Sequence, residues 1–194
     1  MRFLTRMVQL VVLVLLTLAA TLWFAGRRGD RGMIEEEITI ARPAPAVFRW
    51  ISSEDLARRW ISGLVELRRA DGGIAQQEAP GFKMTQIVAG HRVEMTLRIA
   101  RVVPGQELSL IVSSGDPAAG FSGDASFRLI AAENYTRLLF TSHTQFVSWG
   151  DRILEPVLTL AAQRKIHDDL ATLKLLMESE PDRPANPRSV TLGR

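Results

Sequence analysis

Three histidines, two carboxylate runs and no cysteine make up the reactive inventory of this chain. His91, His143 and His167 are spaced too widely to share a helix face in the four-residue pattern of a bound metal. His91 stands beside a turn and His167 on a helix, and both read as exposed or structural. His143 lies on a strand that can face an interior. The carboxylate runs are Glu35-Glu36-Glu37 and Asp168-Asp169. General acid–base work needs such a group held within reach of the reacting proton. Runs at a strand margin and on a helix flank read instead as solvated charge. Glu36 is the odd member, because period-two parity puts it on the apolar face of its strand. Glu36 and His143 are thus the two loose candidates for proton transfer. Gly-x-Ser-x-Gly, the phosphate-binding loop and the dinucleotide fingerprint are absent, and Gly120-Phe121-Ser122-Gly123 is too short for a nucleophile elbow. The lack of Cys excludes disulfides, thiolate metal sites and Cys nucleophiles. Tyr135, the one tyrosine, falls in a turn. These residues define no catalytic set, no metal site and no cofactor site.

Apolar side chains on one face of alternating strands point to binding instead. Phe82 and Met84 alternate with Lys83 and Thr85; Met95 and Leu97 alternate with Glu94, Thr96 and Arg98; Phe127 alternates with Ser126 and Arg128. Ile166 and Leu170 stand four apart on the final helix. Small-molecule pockets are mostly apolar with a few polar groups that orient the ligand. Gln86 and His143 are the candidates for that orienting role, beside a cavity lined by Phe82, Met84, Met95, Leu97, Phe127, Ile166 and Leu170.

The elements that must position these residues follow from their periodicities. Ile34, Ile38 and Ile40 alternate with Glu35, Glu37 and Thr39, which predicts a half-buried strand. Ala41–Pro45 breaks it. A short helix with Val47, Phe48, Trp50 and Ile51 follows, and Ser53-Glu54-Asp55 caps a second through Leu56, Trp60 and Ile61. Strands are expected over Leu64–Arg69 and Phe82–Val88, through Val93–Ile99, through Leu108–Val112, through Phe121–Leu129 and over Tyr135–Phe146. Turns at Ala89-Gly90-His91, Pro104-Gly105 and Glu133-Asn134 separate them, and strands joined by short turns pair antiparallel. The closing helix is predicted over Asp151–Ser179, with Leu154, Leu158, Ala162, Ile166, Leu170, Leu173 and Met177 as one stripe and Arg164, Lys165, Asp168 and Lys174 opposite. Pro156 is tolerated near its start. Met95, Leu97, Phe127 and Leu129 are expected to oppose Leu158, Ile166, Leu170 and Leu173.

The order predicts an α+β domain: a curved antiparallel sheet wrapped around a long C-terminal helix that covers its apolar face. ITIARPAPAVFRWIS (Ile38 to Ser52), the Trp60 segment and RKIHDDLATLKLLMES (Arg164 to Ser179) resemble the START-like helix-grip superfamily of polyketide cyclase/dehydrase-type and lipid-transfer proteins. The resemblance covers residues 33–179. It implies an internal cavity for a lipid-like or aromatic small molecule, and no catalytic residue of the cyclases maps onto this sequence. Two other functions compete with binding: a cyclase or hydrolase acting in the same cavity, and a protein-interaction module at a membrane.

The N-terminus carries a separate expectation. MVQLVVLVLLTLAATLWFA, residues 7–25, has no charged side chain and is about as long as the roughly 20 residues needed to cross a bilayer. Its length and the Trp23-Phe24 pair favour an anchor over a cleaved signal peptide. The sequence thus predicts a basic tail over 1–6, a transmembrane helix over 7–25, a linker over 26–32, the domain over 33–179 and a polar tail over 180–194. It predicts a single-pass membrane protein, and the short leading tail favours a domain outside the cytoplasm. The net charge is +3, and several arginines (Arg2, Arg6, Arg27, Arg28, Arg31) flank the apolar run, so no nucleic-acid partner is expected. The expected partners are an apolar ligand and the membrane; nothing in the sequence specifies an oligomeric state.

Overall fold

The computed structural model of the chain describes residues 32–70, 81–88, 90–114, 120–146 and 149–179. Seven strands form one antiparallel sheet: β1 (Met33–Ile40), β2 (Leu64–Arg69), β3 (Gly81–Val88), β4 (His91–Val103), β5 (Glu107–Ser114), β6 (Phe121–Ala131) and β7 (Thr136–Phe146). Strands β2 to β7 run as a meander, and β1 closes onto β7, giving the order β1-β7-β6-β5-β4-β3-β2. Helices α1 (Ala44–Ser52) and α2 (Glu54–Trp60) connect β1 to β2 at the two edges of the sheet. Helix α3 (Trp149–Ser179) ends the domain and lies against the sheet's inner face.

The period-two readings carry into the structure. On β1, Ile34 and Ile40 are buried and Ile38 packs against the core. On β6, Ala125 and Leu129 are buried while Asp124 and Arg128 are exposed. A bulge between Ile99 and Arg101 breaks the pairing of β4 with β5, so the alternation of Val93 to Ile99 does not continue to the strand's end and Val102 is exposed. On the outer face, Arg137 donates from Nε and Nη2 to the Glu37 carboxylate at 2.7 and 2.8 Å, tying β7 to β1. That side-chain hydrogen bond holds Glu37 below the ordinary carboxylate range. Solvent screens so exposed a pair, so it adds little stability.

The core is densest where the C-terminal half of α3 meets β1, β7 and α1. Leu173, Leu138, Ile40 and Val47 are fully buried there, with Met177 beside them. The first half of α3 differs from its sequence reading. Leu158, expected to face the sheet, is 39% exposed, and Val157 and Leu160 are exposed too. The contacting stripe begins at Ala162 and continues through Ile166, Leu170, Leu173 and Met177. Leu154 falls outside the residues whose side chains are described.

Among the described residues no helix is long and apolar enough to cross a membrane. This corrects the single-pass membrane localisation, with a domain outside the cytoplasm, expected from the sequence. The one long helix, α3, carries Arg164, Lys165, Asp168, Asp169 and Lys174 along its length, and such charges are costly in hydrocarbon. The segments expected as spanning helix (7–25), linker (26–32, apart from Gly32) and polar tail (180–194) lie outside the described residues.

Gly63 and Gly105 are two of the four described glycines in the left-handed region, and both hold turns. Gly63 (φ +67°) lies between α2 and β2, and a Cβ there would meet the Ile87 carbonyl at 2.4 Å. Gly105 (φ +73°) has open space around it. Gly105→Ala is expected to cost about 1–2 kcal/mol for its φ alone. Gly63→Ala should cost clearly more, because strain and collision add. Equal unfolding midpoints for the two variants in urea would show that the Gly63 contact yields freely.

Candidate functional site

Between the inner face of the sheet and the first contacting turns of α3 lies a cavity of about 310 Å³. Its walls come from strands distant in sequence. β3 supplies Met84 and Gln86, β4 Met95 and Leu97, β5 Leu110 and Val112, β6 Phe127, and β7 Phe140; α3 supplies Ala162, Ile166 and Leu170. Trp60, from the end of α2, also lines it and meets Phe127 edge-on at 6.4 Å between ring centroids. Phe127 in turn stacks obliquely on Phe140 at 5.0 Å. These ring contacts lock the aromatic wall in place.

One corner of this apolar space is polar. The Gln86 side-chain amide donates to the Ser62 carbonyl at 3.0 Å. The Ser62 backbone N–H donates to Asp169 Oδ1 at 2.9 Å. Lys165 Nζ donates to Asp169 Oδ2 at 2.5 Å and to Ser62 Oγ at 3.1 Å. Asp169 is only 2% exposed, so the Lys165 ammonium and the Ser62 amide take the place of the water it has lost. Lys165 and Asp169 stand four apart on α3, which brings their side chains together on one face. Among the described residues no buried side-chain nitrogen or oxygen lacks a partner.

Seven of the nine sequence candidates line the cavity: Met84, Gln86, Met95, Leu97, Phe127, Ile166 and Leu170. Phe82 shares their strand parity but lies away from the cavity, beside the Arg69 guanidinium at 6.0 Å. His143 does not reach it either. Leu138 and Phe140 point inward on β7, so Ser142 and Thr144 follow them and His143 is left exposed on the outer face. Counting from that buried pair is the signal that settles its side.

Trp60, Lys165 and Asp169 line the cavity and are not among the sequence candidates. Lys165 reads as charge opposite the apolar stripe and Asp169 as solvated charge on the helix flank, yet each is the immediate neighbour of an inward residue, Ile166 or Leu170. The parity reading of Glu36 holds. It points toward α3, where Gln163 Nε2 donates to it at 3.2 Å and His167 Nδ1 lies 3.2 Å from its other oxygen. That cluster lies outside the cavity, as neither Glu36 nor His167 lines it. Among the described residues no three His, Asp or Glu side chains are grouped to hold a metal ion.

No protein-family model and no curated protein sequence matches the chain. Solved structures do. A conserved protein from Geobacillus kaustophilus is similar with a TM-score of 0.61 and 12% identity, over 75% of this chain and 95% of its own. The Zhui aromatase/cyclase from Streptomyces sp. R1128 aligns with a TM-score of 0.61 and 18% identity, over 75% of this chain and 93% of its own. A START superfamily protein from Mycobacterium smegmatis gives 0.59 and 9%, over 75% and 97%. At such identities the likeness shows the fold alone, and that fold is the helix grip, a curved antiparallel sheet around a long C-terminal helix.

Proposed function

We propose that this chain binds an apolar or amphipathic small molecule, lipid-like or aromatic, in the cavity between sheet and helix. One observation carries the reading: about 310 Å³ stays open in a place where a filled core would be the stabler arrangement. That volume sits at the lower end of small-molecule pockets, which run from about 300 to 1,000 Å³. Its lining of Met, Leu, Phe and Trp side chains suits a ligand without charge over most of its surface. Lys165 and Asp169 satisfy each other and Ser62, which suits a framework for binding better than a free acid and base. The START and aromatase/cyclase names of the similar structures agree with a ligand-holding fold, although fold by itself assigns no activity.

A neutral fluorescent probe such as N-phenyl-1-naphthylamine, titrated into the full chain, is expected to bind with a dissociation constant well below about 1 mM, the level equal to only about −4 kcal/mol. Leu110→Trp projects an indole into the space from β5 and should abolish binding while the protein still unfolds cooperatively. Overpacking costs about 1–3 kcal/mol in a filled core and less where space is open. A parent protein that leaves the probe unbound, or a Leu110→Trp protein that binds it unchanged, would remove the reading.

A further inference from the structure

Resting on that binding reading, we propose that the cavity selects apolar ligands bearing one neutral acceptor oxygen, such as a ketone or ester carbonyl, over carboxylates. Among the described residues Lys165 is the one cation lining the cavity, and its ammonium carries three hydrogens. Among the described residues two acceptors take them, Asp169 Oδ2 and Ser62 Oγ. One hydrogen is left for a ligand oxygen that reaches the polar corner. The charge of Lys165 is already matched by Asp169, which is buried beside it. A carboxylate accepting from the same ammonium would sit within a few ångströms of the Asp169 carboxylate, in an environment that screens like charges poorly. A carbonyl oxygen takes the same hydrogen without adding charge. The corner therefore reads as a hydrogen-bond donor with no net positive field.

Three naphthalenes of one shape test this by calorimetry on the full chain at pH 7: 2-acetylnaphthalene, 2-naphthoate and 2-ethylnaphthalene. The ketone is expected to bind at least about tenfold tighter than the carboxylate. In Asp169→Asn the Lys165 charge becomes uncompensated, so 2-naphthoate should gain at least about tenfold while 2-ethylnaphthalene is unchanged. Lys165→Gln keeps a donor toward Asp169 but removes the ammonium. It should weaken the ketone severalfold with the hydrocarbon unaffected, and it serves where Asp169→Asn does not fold. Hydrocarbon binding with ketone and carboxylate equal, or a carboxylate preference in the parent protein, overturns the selectivity and leaves the cavity reading intact. Failure of all three to bind removes both.

Discussion

Lys165→Met is expected to destabilise the domain by about 3 kcal/mol, near the lower end of the roughly 3–5 kcal/mol for breaking a buried ion pair, because the lysine itself keeps some solvent contact. The loss is less that of an attraction than the stranding of Asp169. That carboxylate is 2% exposed and would keep only the Ser62 N–H as a partner. Lys165→Met/Asp169→Leu should then recover most of the lost stability, since an apolar pair of similar volume often replaces a buried ion pair without penalty. Chemical denaturation of the three proteins measures this. A single variant as stable as the parent, or a double variant no better than the single, would show that Asp169 finds water readily and that the polar corner is not closed.

Leu173→Ala is expected to cost about 2–5 kcal/mol, the range for emptying a fully buried leucine site. Leu173 has 0% exposure and lies in one buried cluster with Leu138 and Ile40, so α3, β7 and β1 share the cavity it would leave. In a domain of this size each kcal/mol shifts the thermal midpoint by roughly 2–4 °C. Leu175→Ala, two residues along the same helix and 69% exposed, should stay within about 0.5 kcal/mol of the parent. Leu158→Ala is expected to behave like Leu175→Ala despite belonging to the sequence stripe. A Leu173→Ala protein with an unchanged melting curve would make α3 peripheral, and with it the grip of helix on sheet.

The expected strand segments are legible because each has its own period. Met95 and Leu97 read inward on β4, and Phe127 and Leu129 on β6, from nothing more than alternation, and the structure puts them there. Glu36 is inward by the same count. His143 needed an anchor at Leu138 and Phe140, which alternate with Arg137, since a slip of one residue moves every side chain to the other face. The helix was harder. Lys165 and Asp169 flank the apolar stripe at about 100° per residue, and a helical wheel cannot say how wide an arc the sheet will cover. The apolar run over 7–25, which carried the expectation of an anchor, lies outside the described residues, and among those no helix is long and apolar enough to cross a membrane.

The sequence by itself determined the order of elements, the inward faces of β4, β5 and β6, and the class of fold, because periodicity and turn chemistry act over a few residues. Only the tertiary structure decided that β1 lies beside β7, with Ile38 opposite Leu138. That pairing closes a loop of about a hundred positions whose ends carry no local mark of each other. The tertiary structure also decided that inward side chains leave a cavity at one end of α3 and a packed core at the other. The reason is geometric: filling depends on the distance between helix and sheet. That distance is set by the sheet's curvature and by where α3 lands on it, and no single segment encodes either. The burial of Asp169 follows from the same placement, since it becomes an interior charge only once the Ser62 turn meets it.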